Sequence, residues 1–89
     1  MKKGTTKSGF AFEVDEALID DMEFIDAYYD IANGDPTAFS LIVKKMFTPE
    51  QKAALYDHCR NEKGRVSIEK VGAEINEILL TFGEDGKNL

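Results

Sequence analysis

The sequence contains few of the residues that give small proteins covalent or metal-based stability. Among its 89 residues there are one cysteine, two prolines and no tryptophan. A lone Cys59 cannot form a disulfide within the chain, and one cysteine with one histidine falls short of the three or four protein ligands of a zinc site. The sequence therefore predicts no disulfide framework, no metal and no cofactor, and its stability must come from a small hydrophobic core.

Long hydrophobic runs are also absent. No apolar stretch approaches the roughly 20 residues that cross a bilayer, and the longest, 39–43, is interrupted by a serine. The basic N-terminal residues are not followed by the apolar segment of a secretory signal, so we expect a cytoplasmic protein without a membrane partner. We predict a single domain over 1–89, in which 9–83 fold, 1–8 are flexible or form a short strand, and 84–89 are a polar tail.

Positive charge is missing from one segment. Residues 15–35 contain eight acidic side chains and neither lysine nor arginine, whereas the whole chain has a net charge of −6. Such a segment repels phosphate groups, so nucleic acid and anionic lipid are poor partners for it, and a basic protein fits better. Its acidic residues are Asp15, Glu16, Asp20, Asp21, Glu23, Asp26, Asp30 and Asp35.

The first segment with a clear pattern is 9–15, where apolar residues alternate with others. Phe10, Phe12 and Val14 fall on one face, which predicts a half-buried strand. A turn at 7–9 would join it to an earlier short strand at 3–6. A two-stranded hairpin is barely stable alone, so we expect its apolar face to cover helices.

From Asp15 onward the spacing of apolar residues becomes helical, and this helix is expected to end at Asn33-Gly34. Its predicted inner stripe is Leu18, Ile19, Met22, Ile25, Tyr28, Tyr29 and Ala32.

Three further helices are predicted by their N-terminal residues. Asp35-Pro36 is expected to begin the second, Thr48 with Gln51 forms a capping box at the third, and Ser67 caps the fourth, which Gly83 is expected to end. The predicted fold is mainly α: about four amphipathic helices in a small bundle with an N-terminal strand or hairpin. The inner residues are expected to be Phe39, Ile42, Val43 and Met46 in the second helix; Ala54 or Leu55, His58 and Cys59 in the third; and Val71, Ile75, Ile78, Leu79 and Phe82 in the fourth.

Catalytic chemistry has little support in the residues. His58 and Cys59 are adjacent, but consecutive helical residues point about 100° apart, so they do not form a dyad. The segment 59–70 resembles a calcium loop in outline, yet lysine stands where that loop requires a bidentate glutamate. No catalytic or metal-binding residue is therefore predicted, and the acidic block is interpreted first as a solvated helix face and second as a docking surface.

The order of several short motifs resembles the small tail assembly chaperones of siphophages and prophages. The motifs are the acidic entry 20–24, the turn 33–36, the segment 47–52 followed by 55–58, the turn 64–66 and the last helix from Glu74. The resemblance covers about residues 9–83. Met22 departs from the pattern, because an aromatic residue usually follows the acidic pair in that family.

This resemblance implies a mostly helical, non-enzymatic protein of the bacterial cytoplasm. It would bind the long tape measure protein during tail assembly and be absent from the mature virion. Contacts with other tail proteins and self-association stay open. The expected partner-binding residues are apolar groups at the edges of the helical stripes together with nearby acids: Met22, Tyr29, Phe47, Asp20, Asp21 and Glu23.

Two rival hypotheses remain at this point. The acidic block also suits a regulator or nucleic-acid mimic that occupies a basic protein surface. A hydrolase using His58 and Cys59 is the weakest alternative. Phe47, like Phe39 and Tyr56, is by default a core residue.

Overall fold

The structure is a computed structural model that describes the backbone of residues 1–86 and the side chains of residues 1–82. It confirms a mainly α fold of four helices behind an N-terminal hairpin. The elements are β1 (Lys2–Thr5), β2 (Ala11–Val14), a 3-10 helix (Glu16–Asp20), α1 (Met22–Ala32), α2 (Ala38–Met46), α3 (Pro49–His58) and α4 (Ile68–Gly86).

The hairpin forms where the alternating pattern predicts it. Strands β1 and β2 pair antiparallel, with Lys2 opposite Val14 and Thr5 opposite Ala11. The turn between them is held by the buried Thr6, whose hydroxyl accepts from the backbone N–H of Phe10, and by Gly9, whose φ of 102° suits glycine. The apolar face of β2 is buried against the helices, which is what stabilises so short a sheet.

The first helix differs from its prediction in two ways. It does not begin at Asp15, because the chain first makes a 3-10 helix and the α-helix starts only after Asp21, whose side chain accepts from the N–H groups of Glu23 and Phe24. Its buried face is also not the predicted stripe, since Phe24 and Ala27 are the residues of α1 that are fully buried. The end at Asn33-Gly34 is as predicted, and Gly34 has the positive φ, 93°, of a C-terminal glycine.

The predicted N-terminal cap is present at α3, but the one predicted at α2 is wrong, because Thr37 and not Asp35 is the N-cap residue there and its side chain makes no capping hydrogen bond. At α3 the hydroxyl of Thr48 accepts from the N–H of Gln51, but the Gln51 side chain accepts from Glu13 of β2 instead of closing the capping box. Because its side chain accepts from Glu13, Gln51 joins α3 to the hairpin. At α2 the carboxylate of Asp35 accepts from the backbone N–H of Thr37, and the helix begins three residues after Asp35.

The last helix begins as predicted and ends later. Ser67 accepts from the N–H of Lys70, and the helix continues through Gly83 to Gly86. A single glycine costs a helix roughly 1 kcal/mol relative to alanine, which does not stop a helix anchored by a buried Phe82. Of the expected polar tail, 84–86 are helical and 87–89 lie outside the described residues.

A single hydrophobic core joins the hairpin to all four helices. From α3 it receives Leu55 and, just beyond the helix, Cys59, whereas Ala54 and His58 are exposed, so the expectation that His58 is an inner residue is wrong. The ring of Phe10 contacts that of Phe47 edge-on, with centroids 6.1 Å apart. The buried residues are Phe10, Phe12, Val14, Leu18, Phe24, Ala27, Ile42, Val43, Met46, Phe47, Leu55, Cys59, Val71, Ile75, Ile78 and Phe82.

Candidate functional site

The most prominent surface feature is an apolar stripe on α1, formed by Met22, Ile25 and Tyr29. Their exposed fractions are 68 %, 41 % and 66 %. The spacing i, i+3, i+7 places them on one side of the helix, so they form a continuous ridge instead of scattered apolar residues. Isolated exposed apolar residues are common, but a ridge of this kind is typical of a binding surface.

An acidic row, formed by Glu23, Asp26 and Asp30, runs beside this α1 stripe. Each acid directly follows one stripe residue, so the row is rotated by about 100° around the helix and stays parallel to the stripe. All three acids are exposed, and within residues 1–82 no ion pair closer than 4.0 Å involves any of them. The two rows together give α1 an apolar edge and a negative edge, both facing solvent.

A groove continues the apolar surface from α1 toward α4. It has a volume of about 330 Å³. The hydroxyl of Tyr28 donates to the side-chain oxygen of Asn76 across it, at 3.3 Å. At its floor Gly72 leaves room for the ring of Phe39, because a Cβ there would lie 3.3 Å from the ring. The groove is lined by Tyr28, Ile31, Ala32, Phe39, Gly72, Ala73, Ile75 and Asn76.

The expected acidic residues of the site have different roles. Asp20 and Glu23 are exposed, whereas Asp21 is partly covered, caps α1 and forms an ion pair with Lys45 of α2 at 2.9 Å. The hydrogen bond from Lys45 lowers the pKa of Asp21, and the same hydrogen bond raises the pKa of Lys45. Asp21 therefore orients α1 against α2 and offers little free charge to a partner.

Phe47 does not belong to this surface. It lies between α2 and α3 and is only 6 % exposed, in contact with Phe10. The default expectation that Phe47 is a core residue is confirmed. The other expectation, that Phe47 lies at the edge of a helical stripe and binds a partner, does not agree with its burial. The physical reason is that α2 ends at Met46, so the chain turns and directs the ring inward under the hairpin.

The structure also brings together three polar residues that the sequence analysis did not connect. Ser8 in the hairpin turn lies 2.8 Å from Nε2 of His58 and donates to Oε1 of Glu74 through a short hydrogen bond. Glu74 is buried, and its Oε2 has no hydrogen-bond partner among the described residues. Since 50 and 66 residues separate these partners, no local pattern could have revealed the cluster.

This cluster lacks the geometry of a catalytic triad. In a triad the imidazole lies between the hydroxyl and the carboxylate and uses both nitrogens, whereas here Ser8 and Glu74 both approach Nε2, Glu74 at 3.9 Å. Ser8 has one hydroxyl proton and gives it to the carboxylate, so His58 must donate to the Ser8 oxygen and cannot act as its base. The arrangement holds the hairpin turn on α3 and α4.

Cys59 is in the core, with 1 % of its surface exposed. Burial raises the pKa of its thiol, and the negative charge of Glu74 raises it further. Both effects disfavour the thiolate that a nucleophile requires. The adjacent His58 contacts Ser8 instead, as the approximately 100° rotation between neighbouring helical residues predicts.

Neither a metal site nor a membrane-spanning helix is present in the part of the chain that the structure describes. No group of three or more His, Cys, Asp or Glu side chains there is arranged to hold a metal ion. No helix there has the length and apolar character needed to cross a membrane.

Comparison with known proteins identifies no relative of this chain. No protein-family model matches the chain, no curated protein is significantly similar to it, and no solved structure matches its fold.

Proposed function

We propose that this chain is a non-enzymatic binding protein that acts as a tail assembly chaperone in an infected or lysogenic bacterium. It holds the tape measure protein in the cytoplasm while the tail assembles, and it is not part of the mature virion. The observation that carries the proposal is the α1 stripe, Met22, Ile25 and Tyr29, which is apolar, continuous and exposed.

The stripe supports a binding role because it is not needed for the fold. The core already contains Phe24 and Ala27 of the same helix, so the apolar residues on the outer side of α1 add nothing to it. Exposing them favours aggregation unless a partner covers them, and a chaperone for a long helical client has that partner. The resemblance of the motif order to tail assembly chaperones supplies the identity of the client.

Co-expression tests this proposal. The tape measure protein is the product of the long coiled-coil-rich reading frame expected directly downstream of this gene, and its soluble fraction should rise when this chain is co-expressed. Replacing Met22 and Tyr29 by serine should abolish the rise. Serine at Ile68, an exposed apolar residue at the start of α4 that does not line the groove, should not. An unchanged soluble fraction with the natural chain, or a different downstream gene, would contradict the proposal.

A second candidate function is supported by the acidic row. Three exposed carboxylates along one helix suit an acidic regulator or nucleic-acid mimic that occupies a basic protein surface. Charge reversal distinguishes the two functions: lysine at Asp26 and Asp30 should abolish binding by a mimic, whereas serine at Tyr29 should leave such binding nearly intact. Asp21 is a poor position for this test, because its reversal also removes a helix cap and the ion pair with Lys45.

A further inference from the structure

We infer that α1 docks an amphipathic helix of the partner that carries lysine or arginine along one border of its apolar face. This inference rests on the proposed binding function and specifies the chemistry of the partner segment. Its basis is the parallel arrangement of the α1 stripe (Met22, Ile25, Tyr29) and the acidic row (Glu23, Asp26, Asp30) on a single exposed helix.

The apolar part of the surface has the shape that an amphipathic helix requires. Met22, Ile25 and Tyr29 follow i, i+3, i+7, which is the spacing of anchors in helix-to-helix contacts. Beside them the groove toward α4 is open and has an apolar lining. An anchoring side chain of the partner fits there, between Tyr28 of α1 and Gly72 of α4.

Residues of α4 extend this surface. Ile31 and Ala32 of α1 line the groove together with Gly72 and Ala73 of α4, and the hydroxyl of Tyr28 donates to the side chain of Asn76 across it. The apolar surface beside the stripe is therefore formed by both helices.

Charge decides which helix fits. The acidic row lies on one side of the stripe only, and α1 itself contains no lysine or arginine. Lys45 of α2 interacts electrostatically with Glu23, but its ammonium group is already paired with Asp21. A partner helix with basic residues along one border therefore gains attraction on that side, whereas an acidic border meets like charge at close range.

The same argument disfavours two other occupants. A second copy that docked through its own α1, in a symmetric dimer, would present the same acids and no basic residue of that helix to complement them. An anionic lipid surface would be repelled by the row. Neither supplies the positive border that the exposed acids favour.

Three designed helical peptides of equal length test the inference, with the full chain as the receptor. The first has an apolar stripe bordered by lysines, the second has the same stripe bordered by glutamates, and the third keeps the lysines but has serines in place of the stripe. Binding is measured by fluorescence anisotropy of the labelled peptides, at low and at physiological ionic strength. The first peptide should bind about tenfold or more tightly than either of the others, with a preference over the second that shrinks as salt rises.

Variants of the chain assign the effect to α1. Asp26→Asn with Asp30→Asn should remove most of the preference for lysine over glutamate, and Tyr29→Ala should weaken binding of the first peptide about tenfold. Glu62→Gln, an exposed acid on the loop before α4, and Ile68→Ala, an exposed apolar residue, are the matched controls and should change neither. Circular dichroism and thermal unfolding confirm that each variant folds, and Asp26→Asn and Asp30→Asn do not touch the core.

The outcomes separate this inference from the proposed function. Equal binding of the lysine and glutamate peptides overturns the inference. It is also overturned if the serine-substituted peptide binds as tightly as the first peptide, a result that would favour the acidic mimic. If the tape measure protein is solubilised but the peptides are not distinguished by charge, the inference fails and the proposed function stands. If the peptides are distinguished but the tape measure protein is not solubilised, the inference stands and the client is a different protein.

Discussion

The hydroxyl of Ser8 lies 2.8 Å from Nε2 of His58, so a side chain of the hairpin turn contacts the last turn of α3. The same hydroxyl donates to the buried carboxylate of Glu74 on α4. Nearby, the backbone N–H of Lys7 donates to Glu77 at 2.8 Å. The turn of the hairpin is therefore held by polar contacts, while its strands are held by apolar ones.

The first prediction concerns this contact. Ser8→Ala removes the hydroxyl that donates to Glu74, and a buried carboxylate that loses a hydrogen bond costs about 1–3 kcal/mol. The free energy of unfolding, measured by urea denaturation, should fall by this amount. Ser40→Ala, on the exposed face of α2, is the control and should change it by less than about 0.5 kcal/mol. An equal effect of the two substitutions would show that Glu74 does not depend on Ser8.

The second prediction concerns the pH dependence of the ion pair between Asp21 and Lys45. The pKa of Asp21 is lowered in the folded chain, so its contribution to stability is present above the ordinary value of 3.8 and is lost as the pH falls through the lowered value. Asp21→Asn keeps a good helix cap but removes the charge. The variant should be less stable than the natural chain at pH 6, and the difference should vanish as the pH falls below the lowered pKa of Asp21.

Urea denaturation across this pH range measures the difference. Asp20→Asn, at the neighbouring exposed acid, is the control and should not show the same pH-dependent difference. At the basic end, Lys45 has a raised pKa, so its contribution should persist until the pH exceeds the ordinary value of 10.5. A constant difference between Asp21→Asn and the natural chain at every pH would contradict the assignment to this ion pair.

The third prediction concerns the start of α3. Thr48→Ala removes the hydroxyl that accepts from the N–H of Gln51, and loss of such a cap costs about 1 kcal/mol. Thr37→Ala is a close control, because Thr37 occupies the equivalent position of α2 without a side-chain cap hydrogen bond. Thermal unfolding should show the larger decrease for Thr48→Ala. A larger decrease for Thr37→Ala would mean that its contact with Asp35 matters more than the α3 cap.

The fourth prediction concerns the reactivity of Cys59. Its thiol is buried and its pKa is raised, so both access and thiolate formation are disfavoured in the folded chain. A disulfide reagent at neutral pH should react with Cys59 far more slowly in the folded protein than in urea. A variant that is destabilised elsewhere, such as Thr48→Ala, should accelerate the reaction, because exposure then requires opening of the fold. Equal rates in the folded and unfolded chains would place the thiol on the surface.

Much of the secondary structure could be predicted from the sequence because its signals are local. Each signal acts within a few residues, through hydrogen bonds or backbone conformation. Examples are the alternation of apolar residues around Phe12, the capping hydroxyl of Thr48 and the positive φ of Gly34. Local signals were misleading at the two ends of the helical region. The 3-10 helix before Asp21 separates the acidic segment from α1, and Gly83 is accommodated inside a helix that Phe82 anchors.

The buried face of α1 could not be predicted in this way. Apolar residues occupy about two thirds of the circumference of this helix, so the periodicity was compatible with more than one inner face. Packing against α2 and the shared core selected the face of Phe24 and Ala27 and left Met22 and Tyr29 exposed. Three of the expected partner-binding residues, Met22, Tyr29 and Glu23, therefore lie on the candidate site, although the reasoning that placed Met22 and Tyr29 at the edge of a buried stripe was wrong.

The sequence by itself determined the four helices, the hairpin and the acid-rich character of α1, since composition and short-range hydrogen bonding decide these properties. Only the tertiary structure decided which side of α1 faces solvent, where Phe47 lies, and that Ser8, His58 and Glu74 meet. The physical reason is that burial of a face and contacts between distant residues depend on how whole elements pack, and local backbone energetics contain no information about those partners.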